Sequence, residues 1–431
     1  MEWHKRTFSL PIGCHPEYAP VFQQLYDDYF WPLDDSQVLK PIFYQPYLRV
    51  HVVATVIYFY LIESFVGFSY LYTSFLLLDD FNQAIFPANM FLVFMVTVGI
   101  LFQGAKLLWN KNETTFDLLF SLVHGRENHC TYTGTPYDEF LKSRRHTFLQ
   151  YGPTLFTYTN ITVMSMYVWL PPLVDCIMGV THHPNDPHNG IATTLGLPMW
   201  TPLDADHSWT SYFIVIYMQI TFFRIVTVSW AFGIFYTSIF QLTLLDEMRL
   251  LRKSLQEIDT RATQLFTLKY QRQPVNRKTK EYDDCYYECL KENIIHHQFI
   301  RKIYGEYQKR VGWTIAIPIY LSSVVLALSS SYIMLDNRNA LKRSMDVLRI
   351  IGDSLLTFLT CHAGEMIAYE NDELRNELYN TEWYDRSKKV KQAISICLHI
   401  TYMPMRLYGG YMVFNHELLS TVSSVWHLAV K

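Results

Sequence analysis

The sequence predicts an all-α membrane protein: seven transmembrane helices with a cytosolic N-terminus and an extracellular C-terminus. Three observations predict it. Long apolar runs alternate with charged segments along 431 residues, half of them hydrophobic, so mean hydropathy stays near zero. Only 17% of the residues are charged, against roughly 25% in an average soluble domain. Lysine and arginine crowd into every second connection between the runs, which sets an inside and an outside face.

A crossing needs about 20 predominantly apolar residues. Seven stretches supply them: 50–71, 85–107, 148–170, 212–239, 311–334, 347–368 and 393–430. The last is too long for one crossing, and Pro404 with Gly409-Gly410 divides it into a proximal helix and a distal helix from about Gly410. The first 48 residues carry Asp27, Asp28, Asp34 and Asp35 and lack the apolar core of a signal peptide, which predicts an N-terminus that is never translocated. Four lysines and arginines lie in that segment, six in 108–147 with its flanks, fourteen in 240–310 and five in 369–391. The alternate connections hold none in 72–84, none in 171–211 and three in 335–346. With Lys431 counted outside, the balance is twenty-nine against four. That asymmetry orients the bundle.

The chain then divides into four parts. Residues 1–239 hold the N-terminal segment, spans one to four and an outer loop, 171–211. Proline, asparagine and aromatic residues in "HHPNDPHNG" and "LGLPMWTPLDADHSW" predict that this loop folds as an outer lid. In 240–310, helical apolar spacing combines with heavy charge, which predicts cytosolic extensions of the fourth and fifth helices around a polar loop. Apolar stripes on such extensions call for partners, so oligomerisation is expected. Spans five and six with an inner loop occupy 311–392, and the split seventh helix 393–431.

Chemistry is sparse. The sequence has no Gly-rich phosphate loop, HExxH or GxSxG, so no enzyme and no cofactor is predicted. A net charge of −3 gives no footprint for nucleic acid. Seven cysteines without a CxxC pair do not form a disulfide framework. His182, His183 and His188 with Asp186, and Cys285 and Cys289 with His296 and His297, match no standard metal spacing. No metal is predicted. The sequons at Asn112 and Asn160 fall in an inner loop and a span, where glycosylation is not expected. Ionisable residues inside spans are costly. Arg224 is expected to form a buried ion pair with Glu63, Asp353 or Glu365, with a ligand or ion role, or snorkelling to the interface, as the alternatives. His362 and Glu365, near the inner end of the sixth span, read as interfacial.

Two constellations point further. The outer halves of spans two, three, four and six carry Phe91, Phe94, Tyr158, Met164, Tyr167, Tyr212, Met218 and Ser354. Together they suit an apolar pocket with a few hydroxyls for a small, volatile ligand; the alternative for each is plain helix packing. In the closing segment Ser420, Ser424, His427 and Lys431 share one helix face, with Thr421, Leu428 and Lys431 on its neighbour. That mixture suits a water path better than lipid. Four copies around an axis would form a narrow conduit with Leu428 as gate; an ordinary packed helix is the alternative.

These features resemble the insect odorant receptors. The topology matches, and "LPMWTPLD" (197–204) is similar to the family's outer loop before the fourth span. "NELYNTEWYDRSKKVKQAISICLHITYMP" (376–404) resembles its most typical stretch, and "ELLSTVSSVWHLAVK" its closing segment. Thr401-Tyr402 is not followed by the Gln-Phe of the related gustatory receptors. The resemblance implies a ligand-specific tuning subunit of an odorant-gated, non-selective cation channel in the dendritic plasma membrane of olfactory sensory neurons. Its implied partners are co-receptor subunits in a heterotetramer, a volatile odorant, permeant cations and membrane lipid. The implied pore residues are Ser424, His427, Leu428 and Lys431. A metabotropic seven-helix receptor and a small-molecule transporter are the other readings; inverted topology opposes the first, and the lack of internal repeats weakens the second.

Overall fold

The computed structural model describes residues 49–79, 81–109, 118, 122, 132, 134–177, 191–192, 199–203, 209–274, 277–335 and 340–421. Helices dominate them. They are α1 (Arg49–Leu76), α2 (Phe81–Trp109), α3 (Pro136–Ile177), α4 (Trp209–Gln256), α5 (Ile258–Tyr270), α6 (Lys280–Leu335), α7 (Ala340–Asn380) and α8 (Lys388–Thr401). A short hairpin, β1 (Ile191–Ala192) with β2 (Met199–Trp200), precedes α4. A second, β3 (Tyr408–Gly409) with β4 (Met412–Val413), follows α8, and a last helix opens at His416.

Six of these helices exceed the length of a crossing. α1 and α2 have 28 and 29 residues, α3 has 42, α7 has 41, α4 has 48 and α6 has 56. Apolarity is less uniform than length. Among the described residues, Thr210–Thr227 is the one helical window apolar enough to span by itself, and the two halves of a bent α6 qualify together. Ala84–Ile100 is a shorter apolar helix.

Two cores organise the bundle. One joins α1, α2 and the first half of α4 with β2, around Tyr70, Met90, Phe94, Tyr212 and Phe222. The other joins the second half of α4 to α5, α6, α7 and α8, around Phe240, Tyr282, Tyr286, Tyr307 and Phe414. Helical spacing explains the second. Ile258, Ala262 and Phe266 recur every four residues on α5, and Val390, Ile394, Cys397 and Thr401 form one buried stripe on α8. α5 ends where Gln271 takes a left-handed conformation (φ 52°) and returns its N–H to the Thr267 carbonyl at 2.9 Å.

Two expected boundaries move. α3 continues through Pro171-Pro172 to Ile177, because proline removes a helical donor without compelling the chain to leave the helix. The distal helix starts at His416 rather than near Gly410. Gly410 instead turns the β3–β4 hairpin with φ 59°, and Asn415 caps the helix by accepting the Leu418 N–H at 2.9 Å.

Candidate functional site

The first core gathers part of the expected pocket. Phe94 and Tyr212 are buried in it, and Phe91 and Met218 pack against it half-buried. Phe94 lies 5.8 Å from Phe68 and 5.9 Å from Phe91, centre to centre. Its ring fits because residue 67 is glycine: a Cβ there would meet the Phe94 ring carbons at 2.6 and 2.8 Å. Ser354, on α7, is half-buried. Tyr158 is not drawn in; on α3 it stands 64% exposed, while Phe156 turns inward. The side chains of Met164 and Tyr167 lie outside the described residues.

Polar atoms are buried alongside this cluster. Among the described residues, Tyr70 Oη and both carboxylate oxygens of Glu63 have no hydrogen-bond partner, and the same holds for Ser322 Oγ on α6 and Thr357 Oγ1 on α7. Buried groups of this kind ordinarily have a partner, and a ligand or water is one way to supply it. Others are satisfied. Trp230 Nε1 donates to Thr97 Oγ1 at 3.1 Å, and the Trp200 N–H donates to Thr73 Oγ1 at 2.6 Å. The second bond, with Tyr72 set edge-on to Trp200 at 5.0 Å, pins β2 onto the end of α1.

The expected ion pair of Arg224 does not form with Glu63 or Glu365. Arg224 is exposed, whereas Glu63 is buried. The register decides this: Phe213, Tyr217 and Arg224 share the outward stripe of α4, with Phe222, Phe223 and Ile225 turned inward. Glu365 instead accepts the His416 N–H with Oε2 at 3.3 Å. The Asp353 side chain lies outside the described residues.

Charge concentrates instead between α3, α4 and α7. Arg145 Nη1 meets Asp246 Oδ2 at 2.6 Å with both side chains buried, and Arg249 Nε meets Glu370 Oε1 at 2.9 Å. Arg252 adds Glu370 at 3.3 Å and Glu373 at 3.6 Å. Nearby, His296 pairs with Glu247 at 3.1 Å, and Arg386 lies over the rings of Tyr286 and Tyr282 while donating to Asp259 at 2.8 Å. Sequence reasoning missed these pairs, because no local spacing links residues 101 or 121 positions apart. Cys285 and Cys289 are buried free thiols, and burial pushes the Cys289 thiol up to about 11. His297 is held down at about 4 by burial first, then by Arg301 and His296.

The connection to the last helix is locked in place. Gln308 of α6 brackets Tyr408, accepting its N–H at 3.3 Å and donating to its carbonyl. Tyr304 donates to the Arg406 carbonyl, and Arg301 to that of Ile400 at 2.7 Å. Gly312 and Gly409 let the two backbones touch: a Cβ on Gly409 would strike the Gly312 carbonyl oxygen and lie 2.5 Å from Ala316 Cβ. α6 bends by 55° between Arg310 and Ile315 at this point, just before Pro318. Of the expected pore residues, Ser424, His427, Leu428 and Lys431 lie outside the described residues.

The described residues form a bundle of span-length helices, with an aromatic cluster in one core and a hairpin before the closing helix, the architecture of a helical membrane protein. The profile of the 7tm Odorant receptor family matches residues 93–430, and the chain belongs to that family. Its fold is similar to the insect olfactory receptor OR5 from Machilis hrabei. Against the complex of that receptor with eugenol, identity is 11% and the TM-score 0.66, over 90% of this chain and 89% of that one. A second structure of the same receptor gives 13% and 0.64, over 98% and 92%. At such identities the likeness is one of fold alone. No curated protein sequence matches the chain.

Proposed function

We propose that the chain is the odorant-binding subunit of a ligand-gated, non-selective cation channel, assembled as a heterotetramer with co-receptor subunits in the dendritic plasma membrane. Seven spans run from a cytosolic N-terminus to an extracellular C-terminus. The odorant occupies the aromatic cluster around Phe91, Phe94, Tyr212 and Met218, with Met164, Tyr167 and Ser354 as further candidate contacts; outward-facing Tyr158 is left out. The observation that carries this reading is the cluster's composition within a member of the odorant receptor family: large apolar side chains beside buried polar atoms that lack partners. An odorant that binds the open state better than the closed one shifts the equilibrium between them. The distal helix lines the pore with Ser424, His427, Leu428 and Lys431, and Leu428 is the gate. The cytosolic ends of α4 to α8 form the anchor between subunits.

The test is to express the chain with and without a co-receptor and record current while volatiles are applied. The reading expects fast current only with the co-receptor, insensitive to G-protein block and reduced by Phe94→Ala. Uptake of labelled ligand without current would establish a transporter instead, and current abolished by G-protein block a metabotropic receptor.

A further inference from the structure

The last helix meets α7 through two imidazoles. His416 stands in its first turn, and Nε2 of His416 lies 3.3 Å from Nδ1 of His362. The two ring planes differ by 12° and their centres are 5.6 Å apart. Because the centres are farther apart than the nitrogens by about a ring's width, the rings meet edge to edge, nitrogen facing nitrogen. Phe358 lies parallel to the His362 ring, 2° apart in plane and 5.8 Å away, which limits how that ring turns. Both histidines are exposed on the isolated chain, His362 near the inner end of the expected sixth span.

We propose that His362 and His416 form a binding site for a divalent transition ion of the Zn²⁺, Ni²⁺ and Cu²⁺ class. An imidazole nitrogen binds zinc at about 2.0–2.1 Å, and two such bonds at the tetrahedral angle separate the nitrogens by roughly 3.3–3.4 Å. That is the separation already present, so capture needs only a modest turn of each ring to aim its lone pair at a shared ion. Neutral imidazole is a preferred ligand for this class, whereas Mg²⁺ and Ca²⁺ favour oxygen. Glu365 lies one turn from His362 and holds the backbone of His416, which adds negative charge beside the pair. Among the described residues no group of three or more histidines, cysteines and carboxylates closes around an ion. Water therefore completes the shell, and the ion exchanges readily. Its two protein ligands come from α7 and from the opening turn of the last helix, so binding ties these elements together. On the channel reading proposed above, that tie holds the inner end of the pore helix.

The experiment uses the full chain, purified in detergent. Cu²⁺ titration is followed by electron paramagnetic resonance, and Ni²⁺ binding by the midpoint of thermal unfolding. The expected result is a Cu²⁺ signal with two coordinating nitrogens and a Ni²⁺-dependent rise in the midpoint. Both weaken at least tenfold in metal concentration in His362→Ala and in His416→Ala. His399→Ala, an exposed histidine on α8, serves as the background control and behaves as wild type. Mg²⁺ leaves all four proteins unchanged. Wild-type behaviour of either pair variant, or its loss in His399→Ala, would overturn the site. Ni²⁺ applied to the cytosolic face of co-receptor patches separates the two readings. Altered wild-type current that the pair variants lack supports the tie, while binding without any change in current keeps the site and counts against the pore role of the last helix.

Discussion

Replacing Gly409 by alanine tests whether the β3–β4 hairpin is held by backbone contact rather than by its own turn. The added Cβ would strike the Gly312 carbonyl oxygen, lie 2.5 Å from Ala316 Cβ and 2.9 Å from Phe414 Cζ, where ordinary contact begins at 3.4 Å. Three neighbours close in from two elements, so no single rotation relieves them. The strand is further pinned on either side by Gln308 at Tyr408 and by the Phe414 N–H to the Leu407 carbonyl at 2.8 Å. Forcing a methyl into a packed interior costs about 1–3 kcal/mol. If the hairpin lifts instead, each backbone hydrogen bond given up costs about 0.5–1.5 kcal/mol. The two routes bracket a loss of about 1–4 kcal/mol. The unfolding midpoint of the detergent-solubilised protein should fall by several degrees. Gly305 is the matched control. It lies in α6, where a Cβ meets nothing within 4 Å, so Gly305→Ala should stabilise by about 0.5–1 kcal/mol through helix propensity. An unchanged midpoint in Gly409→Ala would refute the docking argument, and opposite signs for the two variants would sustain it.

Three further outcomes follow from the same structure. Arg145→Ala removes the 2.6 Å partner of the buried Asp246 carboxylate and should destabilise by about 3 kcal/mol; chemical denaturation measures it. His297 has a folded pKa of about 4, below its ordinary 6.5, so the unfolded chain takes the proton first. Its contribution is complete above 6.5 and is lost as pH falls toward 4, amounting to about 2 kcal/mol at pH 5. His297→Leu should flatten that part of the stability profile, measured between pH 7.5 and 5. Thr73→Val removes the acceptor of the Trp200 N–H and should cost about 1–3 kcal/mol in the attachment of β2 to α1, seen as faster amide exchange at Trp200.

What was legible in the sequence is what is periodic. Apolar runs locate the long helices, and the spacing in 240–310 marks the second half of α4, α5 and the first half of α6. Phe94 and Tyr212, expected together in a pocket with plain packing as the alternative, sit on inward faces and share a core. Tyr158 is equally aromatic yet faces outward, since side-chain type does not say which face of α3 meets α4. Arg224 failed for a related reason: its register, not its charge, sets its direction. The His362–His416 pair and the Arg145–Asp246 pair are long-range events. Nothing local distinguishes such residues from solvated ones. The hairpin was half visible, because Gly409-Gly410 announced a break while the lock by Gln308 depends on α6.

α4 carries Tyr212 and Met218 near its start and Arg249 and Arg252 near its end, within one helix of 48 residues. At 1.5 Å per residue it is a rod of about 70 Å. A rod without a joint passes on a tilt instead of absorbing it, so a tilt of about 5° displaces the far end by about 6 Å. α6 runs beside it with a 55° elbow. The pair thus sets one long continuous helix beside one with an elbow, and the elbow is where the hairpin packs.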